Sequence, residues 1–220
     1  MNKKVLFTVL LSVATVIGVS AQRIVGNISP LKGQQEVNVV LDFSGVIVNG
    51  ETEENFIAEE TKGKKDADKK KWLSEWNKDL RSEAYASLIK ELNGKVSGRH
   101  FSAGKYSGAE YTIIIRVREI TTGFWASRAS APSRPKGPSR PSVPSPRLTP
   151  RPSSVSNASA VRADVSFVKT GETVPFATTE FKRSSNNSSS DMPYLVTKIA
   201  LSFGTLGEDI GNAINKALKK

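Results

Sequence analysis

The chain contains no cysteine, and that absence closes several routes at once. Disulfides, thiolate metal sites and cysteine nucleophiles are excluded. So is the amino-terminal lipid anchor of bacterial lipoproteins, which needs a cysteine just after the signal. Histidine is nearly as scarce, with His100 the only one. A multi-histidine zinc site therefore cannot be built within one chain. A Ser-His-Asp arrangement would have to use that one residue. There is no Gly-x-Ser-x-Gly elbow and no phosphate-cradling glycine loop. After residue 21 no stretch is apolar for long enough to cross a bilayer.

What is present suits one domain with a sizeable core: 220 residues, 38% of them hydrophobic. Residues 1–21 read as a secretory signal. Lys3 and Lys4 give the positive start, Val5–Val19 is apolar, and Val19-Ser20-Ala21 is a small-x-small cleavage site. The mature chain is expected to begin at Gln22, to be secreted or periplasmic, and to keep no transmembrane anchor. The formal charge is +11, or +9 once Lys3 and Lys4 leave with the signal.

The strongest strand signal is Tyr111–Thr121. Tyr111, Ile113, Ile115 and Val117 share one face, and Thr112, Ile114, Arg116 and Arg118 share the other. Glu36–Phe43 alternates in the same way, with Val37, Val39, Leu41 and Phe43 on its apolar side. Ser44–Gly50 continues extended and closes at the Asn49-Gly50 turn. A short edge strand is placed near Arg99–Ala103. Ala160–Lys169 and Val174–Phe181 form a hairpin across Thr170-Gly171-Glu172, with Pro175 marking an edge or a strand start.

Three stretches read as helices. Thr52–Glu60 is short, with Thr52 as cap and Glu53 and Glu54 in the first turn. The second begins at Asp66 or Asp68 and carries Leu73, Trp76, Leu80, Ala84, Leu88 and Leu92 at three- and four-residue steps. Asn93-Gly94 is read as its stop. The last runs over Pro193–Lys219 with Gly204, Gly207 and Gly211 inside it, where close approach to another element would explain the glycines. These segments predict an α+β fold: a single, largely antiparallel sheet of four to five strands with two long helices packed on one face.

Residues 126–158 are different material. They hold eight of the eleven prolines, with serine and arginine filling much of the rest. Such a segment buries too little apolar surface to offset its ordering entropy, so it is expected to be a disordered loop interrupting the single domain of residues 22–220. Its cations Arg128, Arg134, Lys136, Arg140, Arg147 and Arg151 are the candidate binding residues, for a polyanion. An anionic envelope polymer or an envelope protein is the expected partner. Nucleic acid is disfavoured, because the loop lacks interleaved aromatics for stacking.

Several stretches together carry a resemblance: the export signal ending Ala21-Gln22, VVLDFSGVIVNG, TEENFIAEE, WLSEWNKDL, YTIIIRVREITTG, ADVSFVKTGE and the ending LGEDIGNAINKAL. The chain resembles a group of uncharacterised secreted proteins of Bacteroides-type bacteria. More distantly, its element order is similar to the α/β modules of periplasmic assembly proteins, such as the amino-terminal domain of TolB and the curli-secretion lipoprotein. The resemblance covers most of the mature chain but not residues 126–158. It implies an envelope binding or assembly role and supplies no catalytic residues.

Candidate chemistry is sparse. His100 has no nameable nucleophile or orienting acid beside it. Asp42, at a strand end, is placed to line a pocket, but solvation, or capping of nearby backbone donors, is the favoured reading. The carboxylate pairs Glu53/Glu54 and Glu59/Glu60 are only a faint glycosidase signal, since they sit on a charged helix and solvation explains them. No pattern calls for a metal or a cofactor. The expected function is an exported, non-enzymatic binding or envelope-assembly module; the alternative is a secreted hydrolase with a carboxylate-based site.

Overall fold

The computed structural model describes residues 24–99, 101–123, 159–186 and 195–219. Eight strands form one sheet: β1 (Val25–Gly26), β2 (Glu36–Asp42), β3 (Ile47–Val48), β4 (Glu51–Thr52), β5 (Ser102–Gly104), β6 (Tyr111–Thr121), β7 (Ser159–Lys169) and β8 (Ala177–Asn186). Their order across the sheet is β1-β8-β7-β6-β2-β5. β3 pairs with the far end of β6 and forms a small hairpin with β4.

β6 is the spine, as its alternation predicts. It pairs antiparallel with β7 over nearly its whole length and parallel with β2. Ile113, Ile115 and Val117 point into the core. Between Val117 and Glu119 the register with β7 shifts, so Arg118 is an extra residue. That bulge resets the alternation, and Ile120 returns to the core three residues after Val117.

The expectation of a largely antiparallel sheet of four to five strands is overturned: the sheet has eight strands and is mixed. β2 runs parallel to both β5 and β6. The physical cause is the connection. The helical excursion after β4 is long enough to bring the chain back across the sheet, which a tight turn cannot do. The extra strands are two- and three-residue pieces, too short to show a period.

Among the described residues there are three helical stretches, one short and two long. α1 (Glu53–Thr61) is capped by Thr52, whose hydroxyl accepts the Asn55 N–H at 3.3 Å. α2 (Asp66–Ser74), a π turn (Glu75–Asp79) and α3 (Leu80–Val96) run on as one rod. α4 (Leu195–Leu218) passes through all three glycines without a break. Asn93-Gly94 does not stop the long helix. Asn93 instead brackets β5: its Oδ1 accepts the Ala103 N–H at 2.7 Å and its amide donates to the Ala103 carbonyl at 2.9 Å.

The core is a two-layer sandwich of the sheet's inner face against α3 and α4. α3 contributes a strict four-residue stripe, Leu80, Ala84, Leu88, Leu92 and Val96, all buried. α4 contributes Ile199, Phe203, Leu206, Ile210 and Ile214. On the opposite face the strands carry a ladder of ion pairs: Arg116–Asp42 (3.1 Å), Arg118–Asp164 (2.6 Å) and Arg162–Glu180 (2.8 Å). Each arginine is about half exposed, so each pair is worth at most about 1 kcal/mol.

Candidate functional site

The cationic residues singled out in sequence, Arg128, Arg134, Lys136, Arg140, Arg147 and Arg151, lie outside the described residues, as does His100. Glu59 ion-pairs with Lys62 on the solvent side of α1. Asp42, Glu53 and Glu54 do come together, on the wall of a groove of about 950 Å³.

The groove exists because β5 is short. β5 pairs with Glu36–Asn38 of β2 and ends at Gly104. Beyond that point β2 has β6 on one side and, among the described residues, no strand on the other. The Gln35 carbonyl accepts the Ser102 N–H, so odd-numbered residues turn their backbone groups toward β5. The Val39 carbonyl and both polar groups of the Leu41 backbone therefore face the groove without a strand partner. Residues Asn38 through Gly45 all line it. Five of these, Asn38 to Asp42, belong to β2, and since side chains alternate between faces, that consecutive run fits a strand presenting its edge; Phe43 to Gly45 are the turn that follows. The facing wall is Asn77, Lys78, Arg81, Ser82 and Tyr85 of the helical rod, with Glu53 and Glu54 at one end and Lys105 above.

Glu53 anchors the far wall. Its Oε1 accepts the indole N–H of Trp76 at 2.8 Å and the Arg81 guanidinium at 3.0 Å. Arg81 also lies over the Phe43 ring, 4.9 Å from its centre. Trp76 is buried and stacks on Trp72, with centroids 5.6 Å apart, while Phe56 tilts against both. The π turn falls here. It inserts one residue into the helix, and Trp76 within it and Arg81 just past it both reach Glu53. Sequence reading treated Glu53 as a solvated helix charge. The signal that could have found it is the buried tryptophan, whose N–H needs an acceptor.

On the near wall, Asp42 accepts the Ser44 N–H at 2.9 Å and the Arg116 guanidinium at 3.1 Å. The hydrogen bonds from Ser44, and then Arg116, hold its carboxyl below the usual carboxylate range. Tyr85 reaches across, its hydroxyl donating to the Val39 carbonyl at 3.5 Å, and Lys105 sits over its ring at 4.8 Å. Burial pushes the Tyr85 hydroxyl up.

The groove thus holds acids, but two of its three carboxylates are committed to arginines, and Asp42 is poised to stay ionised. General acid catalysis needs the reverse, a carboxyl with a raised pKa. Among the described residues no group of three or more His, Asp or Glu could hold a metal ion.

A second cavity, of about 390 Å³, lies between Trp72, Trp76, Glu75, Asp79, Glu83 and the first turn of α4 at Leu195–Thr197. α4 has no acidic residue in that turn. The three carboxylates of the neighbouring rod lie where a helix start favours negative charge.

Among solved structures, the chain is similar to a PelC dodecamer from Paraburkholderia phytofirmans. The TM-score is 0.39 at 8% identity, over 86% of this chain and 96% of that one. It is also similar to a Xanthomonas campestris protein of the DUF330 family, with TM-score 0.34 at 10% identity, over 85% of this chain and 89% of that one. Both are bacterial proteins. The likeness is a weak one of fold, and it says nothing about the groove. No protein-family model matches the chain, and no curated protein matches it. Among the described residues no helix is long and apolar enough to cross a membrane.

Proposed function

We propose that this protein is an exported binding or assembly module of the bacterial envelope that works by holding a partner macromolecule in the groove beside β2, without chemistry of its own. The observation that carries the reading is the groove's construction. An uncovered strand edge forms one wall, and its principal carboxylates are spent on structural pairs with Arg81 and Arg116. Export rests on the signal read in residues 1–21. The arginines of residues 126–158 would add a second, sequence-tolerant contact with anionic envelope polymer.

The test is photocrosslinking in the native cell. A photoreactive residue replaces Ser82 or Lys105 in the groove, or Glu180 on the open sheet face as a control. The groove positions should give a discrete adduct that the control does not. Absence of any groove adduct would overturn the proposal. So would turnover of a model glycan, peptide or ester by the purified protein, if Glu54→Gln abolishes it.

A further inference from the structure

We propose that the partner enters the groove as an extended, acidic peptide segment that adds to β2 as a strand, in the line that β5 vacates after Gly104. This rests on the groove being the binding site, and goes further by fixing what occupies it.

The backbone supplies the first argument. Past the Asn38–Gly104 pair, the Val39 carbonyl, the Leu41 N–H and the Leu41 carbonyl face the groove in ladder order. That is an acceptor, a donor and an acceptor spaced for a strand in either direction. Tyr85 comes near the first of these only at 3.5 Å, a contact long enough to yield to a better donor. Proteins ordinarily cover or charge such an edge. Here Val40, the residue between them, is apolar and 42% exposed on the open face. β5 shows that this edge accepts a strand, since it already pairs with the preceding three residues.

Charge supplies the second. Among the groove's ionisable groups, Arg81 is paired with Glu53 and Asp42 with Arg116. Lys78, Lys105 and Glu54 have no ion-pair partner among the described residues. The unspent charge is therefore net positive, with Lys105 beside the edge and Lys78 on the facing wall. An incoming strand with carboxylate side chains would lie in the same groove as both. The same excess disfavours the chain's own residues 126–158, which carry no acidic residue to offset their arginines.

The test uses the full mature protein labelled with nitrogen-15 and two octapeptides of alternating valine and threonine. One carries two aspartates and the other two lysines at the same places. The aspartate peptide should shift the Val39–Ser44 amides and slow exchange of the Leu41 amide tenfold or more. The lysine peptide should bind at least tenfold more weakly, and Lys78→Glu with Lys105→Glu should reverse that preference while leaving the rest of the amide spectrum unchanged. Groove shifts with Leu41 still in fast exchange would overturn strand addition yet leave the groove as a binding site. Equal binding of the two peptides would overturn the acidic assignment. Protection of Leu41 that grows with protein concentration alone would make the occupant a second copy. Failure of both peptides, alongside a groove crosslink in cells, would overturn a peptide occupant while the binding role stands.

Discussion

Two aspartates with opposite environments show how single residues set this protein's response to pH. Asp42 accepts hydrogen bonds from Ser44 and Arg116, which favour its ionised form and lower its pKa. A carboxylate depressed in the folded state contributes stability above its unfolded value, near pH 4, and loses it as pH falls through the folded value. Asp209, on α4, is half-buried and next to Glu208. Burial raises its pKa, although Ser184 donates to its Oδ2 at 2.7 Å. A raised carboxyl costs stability once pH exceeds both its unfolded and folded values, and costs nothing below about pH 4. Asp42→Asn should therefore lower the urea midpoint at pH 7. Asp209→Asn should raise it, since an asparagine oxygen still accepts from Ser184. Both differences should shrink toward pH 3. A midpoint for Asp209→Asn that falls at pH 7 would show that the Ser184 contact outweighs the cost of burial.

At the scale of elements, α4 lies against α3 so closely that its glycines are not interchangeable. A Cβ on Gly207 would overlap the Leu88 carbonyl oxygen and come within 3.0 Å of its carbonyl carbon, and neither can move without bending α3. A Cβ on Gly204 would meet nothing nearer than the Glu91 Cγ at 3.5 Å, an ordinary contact. Gly204→Ala should thus stabilise by about 0.5–1 kcal/mol through helix propensity. Gly207→Ala should destabilise by about 1–3 kcal/mol through overpacking. Urea unfolding of the two variants measures both, and equal effects at the two positions would refute the close-packing account. The sequence already showed that glycines inside an amphipathic helix imply close approach, because their cost is local and known. It could not show which glycine touches the neighbour, because that depends on the crossing point of two rods more than a hundred residues apart. The same limit governs the rest. β6 and β2 were legible from their alternation, which is local. β2's parallel pairing and its bare edge were not, since an edge is defined by where a distant partner stops. Asn93 read as a helix stop because its bond to Ala103 is invisible in the sequence. Glu53 read as solvent-facing because its partners, Trp76 and Arg81, lie on a different helix.

For the whole molecule, the central question is what the Pro/Ser/Arg stretch does to a fold that closes without it. β6 and β7 are antiparallel neighbours, and Thr121 lies opposite Ala160. The strand ends that the stretch joins are therefore already as close as the two sides of a hairpin. Replacing residues 126–158 by a four-residue glycine-containing link shortens the connection between Thr121 and Ser159 roughly fivefold. Loop-closure entropy grows only as the logarithm of length, so the deletion should stabilise by about 1–2 kcal/mol and leave the fold intact. It also removes Arg128, Arg134, Lys136, Arg140, Arg147 and Arg151 together. If these hold polyanions, the deleted protein should elute from heparin or a lipopolysaccharide matrix at clearly lower salt than the full chain, because each lost phosphate- or carboxylate-type contact reduces the salt dependence. The groove should be untouched, and crosslinking at Ser82 should persist. Unchanged elution would refute the polyanion role. Loss of the Ser82 adduct would show that the stretch and the groove act on one partner together, so that the protein grips at two points rather than one.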